Sequence, residues 1–223
     1  MIEIFVFSFL IALTGALSPG PVLTFTIYKS LQQKRGYLAG FFIILGHATL
    51  EFGLICLLLL ATSLIVSIFK IYIILVLFGL IGGIFLIIFG VMVIRDVYKN
   101  PLELDFSKIT EDDIKGFSGN SFLGGIVVSL SNPFWTIWWV FIGLSFMINF
   151  NVSFDNPMGL LLFFLGHELG DFAFYIPVSI FAYIGGKSIN TKFYKYVLIA
   201  CGIFMICFGI YLAANIILFP PEI

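Results

Sequence analysis

Six long apolar runs dominate the sequence and limit the possible folds more than any other feature. They cover roughly residues 4–28, 37–65, 71–94, 121–148, 158–184 and 196–218. Each has the length that an α-helix needs to cross a lipid bilayer. Hydrophobic residues make up 61% of the 223 residues and charged residues only 10%, which is more apolar surface than a soluble domain can bury. The sequence therefore predicts an all-α protein with six transmembrane helices in the bilayer.

The basic residues indicate the orientation of the chain. Ten of the 11 Lys and Arg residues fall in the first, third and fifth loops, and only Lys70 lies in a loop on the other side. Because Lys and Arg remain cytoplasmic during insertion, we predict a multi-pass protein of the cell (inner) membrane with both termini outside. The first run has no basic region before it and no small-residue cleavage site, so we interpret it as a membrane segment and not as a signal peptide.

Short motifs recur in the same order in the two halves of the chain. They are GIFLIIFGV at 83–91 with GIFMICFGI at 202–210, LGH at 45–47 and again at 165–167, and ALSPGP at 16–21 with SLSNPF at 129–134. We therefore predict two three-helix repeats, 1–94 and 121–223, joined by a cytoplasmic linker over 95–120. An odd number of crossings inverts the second repeat in the membrane, which is an arrangement common in secondary transporters.

Helix-breaking residues interrupt the first and the fourth apolar run. Pro19, Gly20 and Pro21 lie in the first run, and Asn132 and Pro133 lie in the fourth. Irregular backbone at this depth must be packed in protein or line a wet cavity. We predict that both helices are broken and that these five residues shape a substrate site near the midplane. A half-helix beginning near Pro21 suits a carboxylate, and the freed carbonyls suit a cation or an ammonium.

The apolar runs contain three acids and both histidines of the chain: His47, Glu51, His167, Glu168 and Asp171. Each histidine precedes an acid by four residues, which places the pair on one helix face. Ionisable groups inside a membrane usually face a cavity and carry function. We predict that Glu51 and Asp171 bind substrate and, with His47 and His167, carry a coupling proton. Two alternatives stay open, namely that the four residues are ligands of a divalent metal or form structural hydrogen bonds, and the place of Glu168 is also open.

Aromatic and glycine patterns add two further expectations. Trp135 follows the second break by two residues. Either it belongs to an interfacial aromatic belt, or Trp135 and Trp139, four residues apart, wall the cavity and offer a cation–π face to an ammonium, and we include Trp135 among the substrate-binding residues. The seven-residue glycine pairs at 83/90 and 202/209 predict close helix contacts, with a homodimer as a possible use of such flat faces.

Several function classes are disfavoured by the composition. The net charge of −1 gives no reason to expect a nucleic-acid partner. The chain has three cysteines and no C-x-x-C pair, which argues against a membrane thiol oxidoreductase. It has no serine elbow, phosphate loop or metal-hydrolase motif. We therefore expect neither an enzyme nor a bound cofactor.

Four motifs in combination resemble the LysE/RhtB family of amino-acid exporters. They are PGP at 19–21, K-x-x-x-x-K-R-G at 29–36, GGIFLIIFG at 82–90 and N-P at 132–133. In the family's commonest pattern an asparagine follows PGP, whereas Val22 follows here. The resemblance implies a six-segment exporter of amino acids driven by an ion gradient, within a superfamily that also contains divalent-metal exporters. We therefore expect a secondary transporter that exports a small amino acid or related metabolite by proton antiport. Sodium is the alternative coupling ion, and divalent metal export is the alternative function.

Overall fold

The computed structural model describes residues 1–18, 20–69, 72–99, 119–185 and 191–219, and every regular element in these ranges is a helix. The elements are α1 (Ile2–Leu17), α2 (Pro21–Gln32), a short 3-10 turn (Gly36–Leu38), α3 (Ala39–Phe69), α4 (Tyr72–Lys99), α5 (Ser121–Leu130), α6 (Pro133–Trp138), a π-helical turn (Trp139–Gly143), α7 (Leu144–Asn149), α8 (Pro157–Tyr183) and α9 (Thr191–Leu218). Four of these helices are long and apolar enough to span a bilayer. Six spans result when each of two bent helix pairs counts as one, so the predicted all-α membrane fold is confirmed.

Three of the sequence predictions fall on residues that the structure does not describe. Pro19 belongs to the first helix break, and Lys70 belongs to the second loop. Residues 100–118 make up most of the predicted linker. These positions lie outside the described residues, and the expectations attached to them stay predictions.

Both predicted helix breaks are present. α1 and α2 meet at 71°, and α5 meets the segment Trp135–Asn149 at 70°. α2 begins at Pro21, where the first turn of a helix needs no N–H donor. The end of α1 is tied by the Ser18 hydroxyl, which donates to the carbonyl of Thr14 over 3.1 Å. At the second break the carbonyl of Asn132 accepts the N–H of Trp135 over 3.1 Å, so the chain re-enters a helix at once.

Glycines bring α4 and α9 together as an antiparallel pair. A Cβ atom on Gly83 would lie 2.8 Å from the carbonyl oxygen of Gly209, and one on Gly209 would lie 2.6 Å from the carbonyl oxygen of Gly83. Gly90 and Gly202 face each other's carbonyls in the same reciprocal way. The close helix contacts predicted from the glycine spacing are therefore confirmed, because any larger residue would push the two backbones apart.

The first half of each broken helix packs along a long helix from the other half of the chain. α1 lies against α8, and α3 lies against α5. The carbonyl of Phe163 in α8 accepts the hydroxyl hydrogen of Ser8 in α1 over 2.7 Å. Because α1 packs on α8 and α5 packs on α3, the two long helices α3 and α8 lie side by side at the centre, where their polar residues meet.

Aromatic rings fill one end of the molecule between α1, α7 and α9. We call this group the aromatic plug, and it consists of Phe7, Phe146, Phe150, Phe208 and Tyr211. The ring centroids of Phe146 and Phe150 lie 4.4 Å apart, and those of Phe7 and Phe208 lie 5.1 Å apart. At the same end the side-chain amide of Asn215 donates to that of Asn149 over 3.0 Å. α7 and α9 are thereby joined by both apolar and polar contacts.

Candidate functional site

A cavity of about 330 Å³ lies where the two helix breaks face the central helices. Eight of the ten predicted site residues line it: Gly20, Pro21, His47, Glu51, Asn132, Trp135, His167 and Asp171. Of the other two, Pro19 lies outside the described residues, and Pro133 is described only as the first residue of α6. The fold thus brings together around one space residues that are far apart in the sequence.

The cavity extends toward the end of α4. It extends from the buried histidines and acids to Met92 and Asp96, which are exposed near the end of α4. Asp96 lies beyond Gly90 along α4, whereas Phe208 of the aromatic plug precedes Gly209, which contacts Gly83. The cavity therefore extends from the centre of the molecule away from the aromatic plug.

Two indole donors and one histidine nitrogen converge on one of the two carboxylate oxygens of Glu51. Its Oε1 atom accepts the indole N–H groups of Trp135 over 2.7 Å and of Trp139 over 2.8 Å. The same oxygen lies 2.9 Å from Nε2 of His47. The residue is 1% exposed. The two indole hydrogen bonds fix the orientation of the Glu51 side chain.

The other oxygen of Glu51 accepts no hydrogen bond from any described N–H group or hydroxyl. Nε2 of His167 lies 3.5 Å from Oε2. The ring of His167 lies against the indoles of Trp138 and Trp139, at centroid distances of 5.3 and 5.0 Å. The imidazole beside Oε2 is therefore packed against two indole rings.

His47 connects the Glu51 carboxylate to Asp171. Its Nε2 lies 2.9 Å from Oε1 of Glu51 and 3.4 Å from Oδ2 of Asp171. Its Nδ1 lies 2.6 Å from the hydroxyl oxygen of Ser129, whose single hydrogen is donated to the carbonyl of Gly125 over 2.7 Å. This network assigns the Nδ1 hydrogen to the bond with Ser129.

The same network requires one further proton. Nδ1 of His47 donates its hydrogen to Ser129, so Nε2 faces one oxygen of Glu51 and one oxygen of Asp171. All three atoms carry lone pairs and would repel each other unless one of them holds a hydrogen. The proton resides either on Nε2 or on one of the two acids. His47, Glu51 and Asp171 therefore form a group that holds an exchangeable proton on the wall of the cavity.

The π-helical turn explains how the indole of Trp139 reaches Glu51. A π-helical turn inserts an extra residue into a helix and redirects the side chains beside it. Trp139 begins this turn and is fully buried, and Gly143 ends it. A Cβ atom on Gly143 would lie 2.5 Å from Cε3 of the Trp139 indole. Only a glycine at this position leaves room for the ring.

Some residues of the site were missed by the sequence analysis. Trp138 lines the cavity beside Trp135 and Trp139, and the signal for it was its position shortly after the second break. Ser129 had no signal, since nothing distinguishes it from other small residues in an apolar run. Trp135 lies in the interior, against the ring of His47 at a centroid distance of 6.2 Å, and not in an interfacial belt.

The donor set of the site also fits a metal ion. One ligand atom each from His47, Glu51 and Asp171 lies within 4.8 Å of the others. Imidazole and carboxylate ligands together suit divalent first-row metals. The arrangement can therefore bind an ammonium group, hold a proton or bind a divalent cation.

Broken helices that face a polar cavity at the centre of an apolar helical bundle are features of membrane transporters. The chain matches the LysE type translocator family over residues 13–215, and it belongs to that family. Comparisons with curated proteins and with solved structures returned no significant match. The family resemblance predicted from the motifs is confirmed. The protein is a multi-pass membrane transporter and not an enzyme.

Proposed function

We propose that the protein exports a small amino acid or a related amine-bearing metabolite in exchange for protons. The observation that carries this proposal is that the two carboxylate oxygens of Glu51 have different surroundings. One carboxylate oxygen accepts two indole N–H groups and faces Nε2 of His47, and the other accepts no hydrogen bond from any described N–H group or hydroxyl. Because the side chain is already held in one orientation, its second oxygen can accept a hydrogen bond from a substrate with little further loss of conformational entropy.

The substrate's ammonium group would bind at Oε2 of Glu51. Asp171, which also lines the cavity, supplies a second carboxylate close by. The indole of Trp135 adds an aromatic surface that attracts a cation. An ammonium has three donors, and these surroundings provide acceptors for them.

The substrate's carboxylate would bind at the beginning of α2. Gly20 and Pro21 border the same cavity, and Gly20 has no side chain that could cap the helix. The first turn of a helix presents unpaired N–H groups and a partial positive charge. A zwitterion placed between Glu51 and α2 would thus meet a complementary charge at each end.

Proton exchange would use the same groups. The proton held between His47, Glu51 and Asp171 neutralises part of their charge while the substrate site is empty. An ammonium that binds there supplies the same charge and makes the proton dispensable. Competition between substrate and proton for these carboxylates gives antiport, because only one of the two is carried at a time.

We further propose that residues 1–94 and 121–223 are inverted-topology repeats joined by a cytoplasmic linker, with both termini outside the inner membrane. The reciprocal contacts of Gly83 with Gly209 support this proposal, as do the nearly equal bends of the two broken helices. In such transporters one repeat moves against the other around a fixed site.

A growth-protection screen tests the proposed function. Cells that produce the wild-type protein, Glu51→Gln or the control Glu3→Gln would be challenged with dipeptides that load the cytoplasm with single amino acids. Glu3 is an exposed acid at the start of α1. We expect wild type and Glu3→Gln to protect against at least one amino acid and Glu51→Gln to insert normally but give no protection. Full activity in Glu51→Gln and Asp171→Asn, separately and combined, would overturn the role given to these carboxylates.

Export of a divalent metal is the second candidate function, and the three ligand atoms within 4.8 Å favour it. The metal would be the cargo in this case. Calorimetric titration of the detergent-purified protein with Zn²⁺, Mn²⁺ and Cd²⁺ tests this function. Binding that disappears in the His47→Ala, His167→Ala double variant, together with protection of cells from that metal only, would replace the amino-acid proposal. The absence of binding would remove the metal alternative.

A further inference from the structure

The charged residues of α4 and α9 are confined to one end of this helix pair. α4 carries Arg95, Asp96 and Lys99, and α9 carries Lys192 and Lys195, whereas all other residues of the two helices are uncharged. The apolar span within α4 ends at Lys99, and the apolar span within α9 begins at Lys195. These charges therefore lie near the level at which the hydrocarbon core of a bilayer meets the lipid headgroups.

The packing of the two helices brings their four basic residues together. The reciprocal glycine contacts fix α4 and α9 as an antiparallel pair, so the end of α4 lies beside the beginning of α9. There Nζ of Lys195 lies 4.6 Å from the centroid of the Tyr98 ring. Arg95 and Lys99 lie three residues before and one residue after Tyr98 and share its side of α4, and Lys192 shares the face of Lys195. We call these four basic residues the cationic patch.

The cationic patch is not neutralised by any acid in the described part of the chain. None of its four members forms an ion pair with a described residue, and Asp96 lines the cavity. Like charges three or four residues apart on a helix destabilise it. The orientation of the chain requires basic residues on one side of the membrane, but it does not require that they share one face. An anion bound between the two helix ends would remove this repulsion.

The residues around the cationic patch indicate what kind of anion fits it. Tyr98 is 67% exposed and Tyr196 is 70% exposed, and tyrosines are favoured where hydrocarbon meets the lipid headgroups. Two helical turns further into the span, Val91 lies on the face of Tyr98 and Ile203 on the face of Tyr196, and both are exposed. A ligand of this surface therefore meets positive charge at one end and an apolar surface along the rest of its length.

We propose that the cationic patch binds the headgroup of an anionic phospholipid, whose acyl chains lie along the exposed apolar residues of α4 and α9. Basic residues at the end of a membrane helix attract anionic headgroups, and the guanidinium of Arg95 matches the geometry of a phosphate. Since α4 belongs to the first half of the chain and α9 to the second, the bound lipid contacts both halves. This proposal does not depend on which substrate the protein transports.

Thermal unfolding of the purified protein in a neutral detergent tests this proposal. The probes are phosphatidylglycerol, phosphatidylcholine with the same acyl chains, and soluble glycerol 3-phosphate. The proteins are wild type, the patch variant Lys99→Gln with Lys195→Gln, and the control Lys34→Gln with Arg35→Gln, which removes two exposed cations after α2. We expect phosphatidylglycerol to raise the melting temperature of wild type and control by about 5 °C more than phosphatidylcholine does. The patch variant should lose at least half of this difference, and glycerol 3-phosphate should have no effect.

The other outcomes contradict the proposal in distinct ways. Equal shifts with the two lipids would show that only acyl chains are recognised and that the headgroup charge has no role. A full phosphatidylglycerol shift in the patch variant would show that the anionic lipid binds elsewhere. A shift with glycerol 3-phosphate as large as that with phosphatidylglycerol would assign the patch to a soluble anion and not to a lipid.

A measurement on the wild-type protein covers the case in which the patch variant does not fold. Native mass spectra would be recorded after incubation with an equimolar mixture of phosphatidylglycerol and phosphatidylcholine. We expect phosphatidylglycerol to be bound in preference by about fivefold or more. A second variant, Lys99→Arg with Lys195→Arg, keeps both charges and should keep this preference. Equal occupancy by the two lipids in wild type, or loss of the preference in the arginine variant, would overturn the proposal.

Discussion

The indole N–H of Trp139 donates to Oε1 of Glu51 over 2.8 Å, and the two residues come from opposite halves of the chain. Trp139 is fully buried, and Glu51 is 1% exposed, so this bond is shielded from water. It links the π-helical turn after the second break to the middle of α3. The position of the carboxylate that we assign to substrate binding thus depends on a helix of the other half.

Replacement of Trp139 by Phe should weaken transport while keeping most of the packing. The variant removes one donor to an ionised carboxylate, a bond worth roughly 1.5–3 kcal/mol, so we expect the ratio of maximal rate to KM to fall roughly tenfold or more. Initial rates of export over a range of substrate concentrations check this expectation. In a Glu51→Gln background the same change should lower the melting temperature in detergent less than it does in wild type, and equal decreases in the two backgrounds would contradict a direct link.

Replacement of Ser129 by Ala should lower transport by removing the acceptor for Nδ1 of His47. The buried Nδ1–H would then lack its partner, and we expect a loss of about fivefold, corresponding to about 1 kcal/mol. Ser131→Ala is the matched control, because both serines donate to a carbonyl four residues earlier and Ser131 is exposed. Equal transport rates for the two variants would show that the bond to His47 has no functional role.

Replacement of Gly143 by Ala should displace the indole of Trp139, since a methyl group there would lie 2.5 Å from the ring. We expect transport to fall at least as far as in Trp139→Phe, together with a lower melting temperature in detergent. Gly53→Ala is the control, because Gly53 lies in α3 near Glu51 and a Cβ atom added to it would meet nothing within 4 Å. A Gly143→Ala protein with normal transport would show that the glycine is not what positions the indole.

Replacement of Asp96 by Asn should reduce transport of a cationic substrate mainly at low ionic strength. Asp96 is exposed where the cavity reaches the end of α4, and an acid at an entrance raises the local concentration of cations. We expect a fall of about twofold to threefold in dilute buffer and almost none at high salt, because mobile ions screen the charge. Asp155→Asn, an exposed acid in the loop before α8, is the control. A salt-independent effect would assign Asp96 a role in binding and not in attraction.

The spacing of a few residues was enough to predict the central site. Pro21 and Asn132 interrupt runs of spanning length, and Glu51 and Asp171 are ionisable groups in such runs, so membrane physics alone assigned them to a cavity. The structure places all four on the wall of one space. Their common location could be predicted because lipid leaves few places for a polar group, and that constraint is already visible in the sequence; their role in substrate binding stays a prediction.

The partners within the site could not be predicted in the same way. The bond between Trp139 and Glu51 depends on the π-helical turn, and the bond between His47 and Ser129 depends on how closely α3 approaches α5. Both are set by packing between helices that are far apart in the chain. Helical periodicity fixes the face on which a residue lies, but it contains no information on which neighbouring helix that face meets.

Under the proposed exchange of substrate for protons, the aromatic plug would act as a barrier to protons on one side of the buried acids. A passage open at both ends would let protons run down their gradient past His47 and Asp171 without carrying cargo. Stacked rings such as Phe146 and Phe150 offer no hydrogen bonds from which a chain of water molecules could be built. With one end of the molecule filled in this way, protons could reach the acids only from the other end. Protons would then cross the membrane only when the protein changes conformation and exposes the acids to the other side.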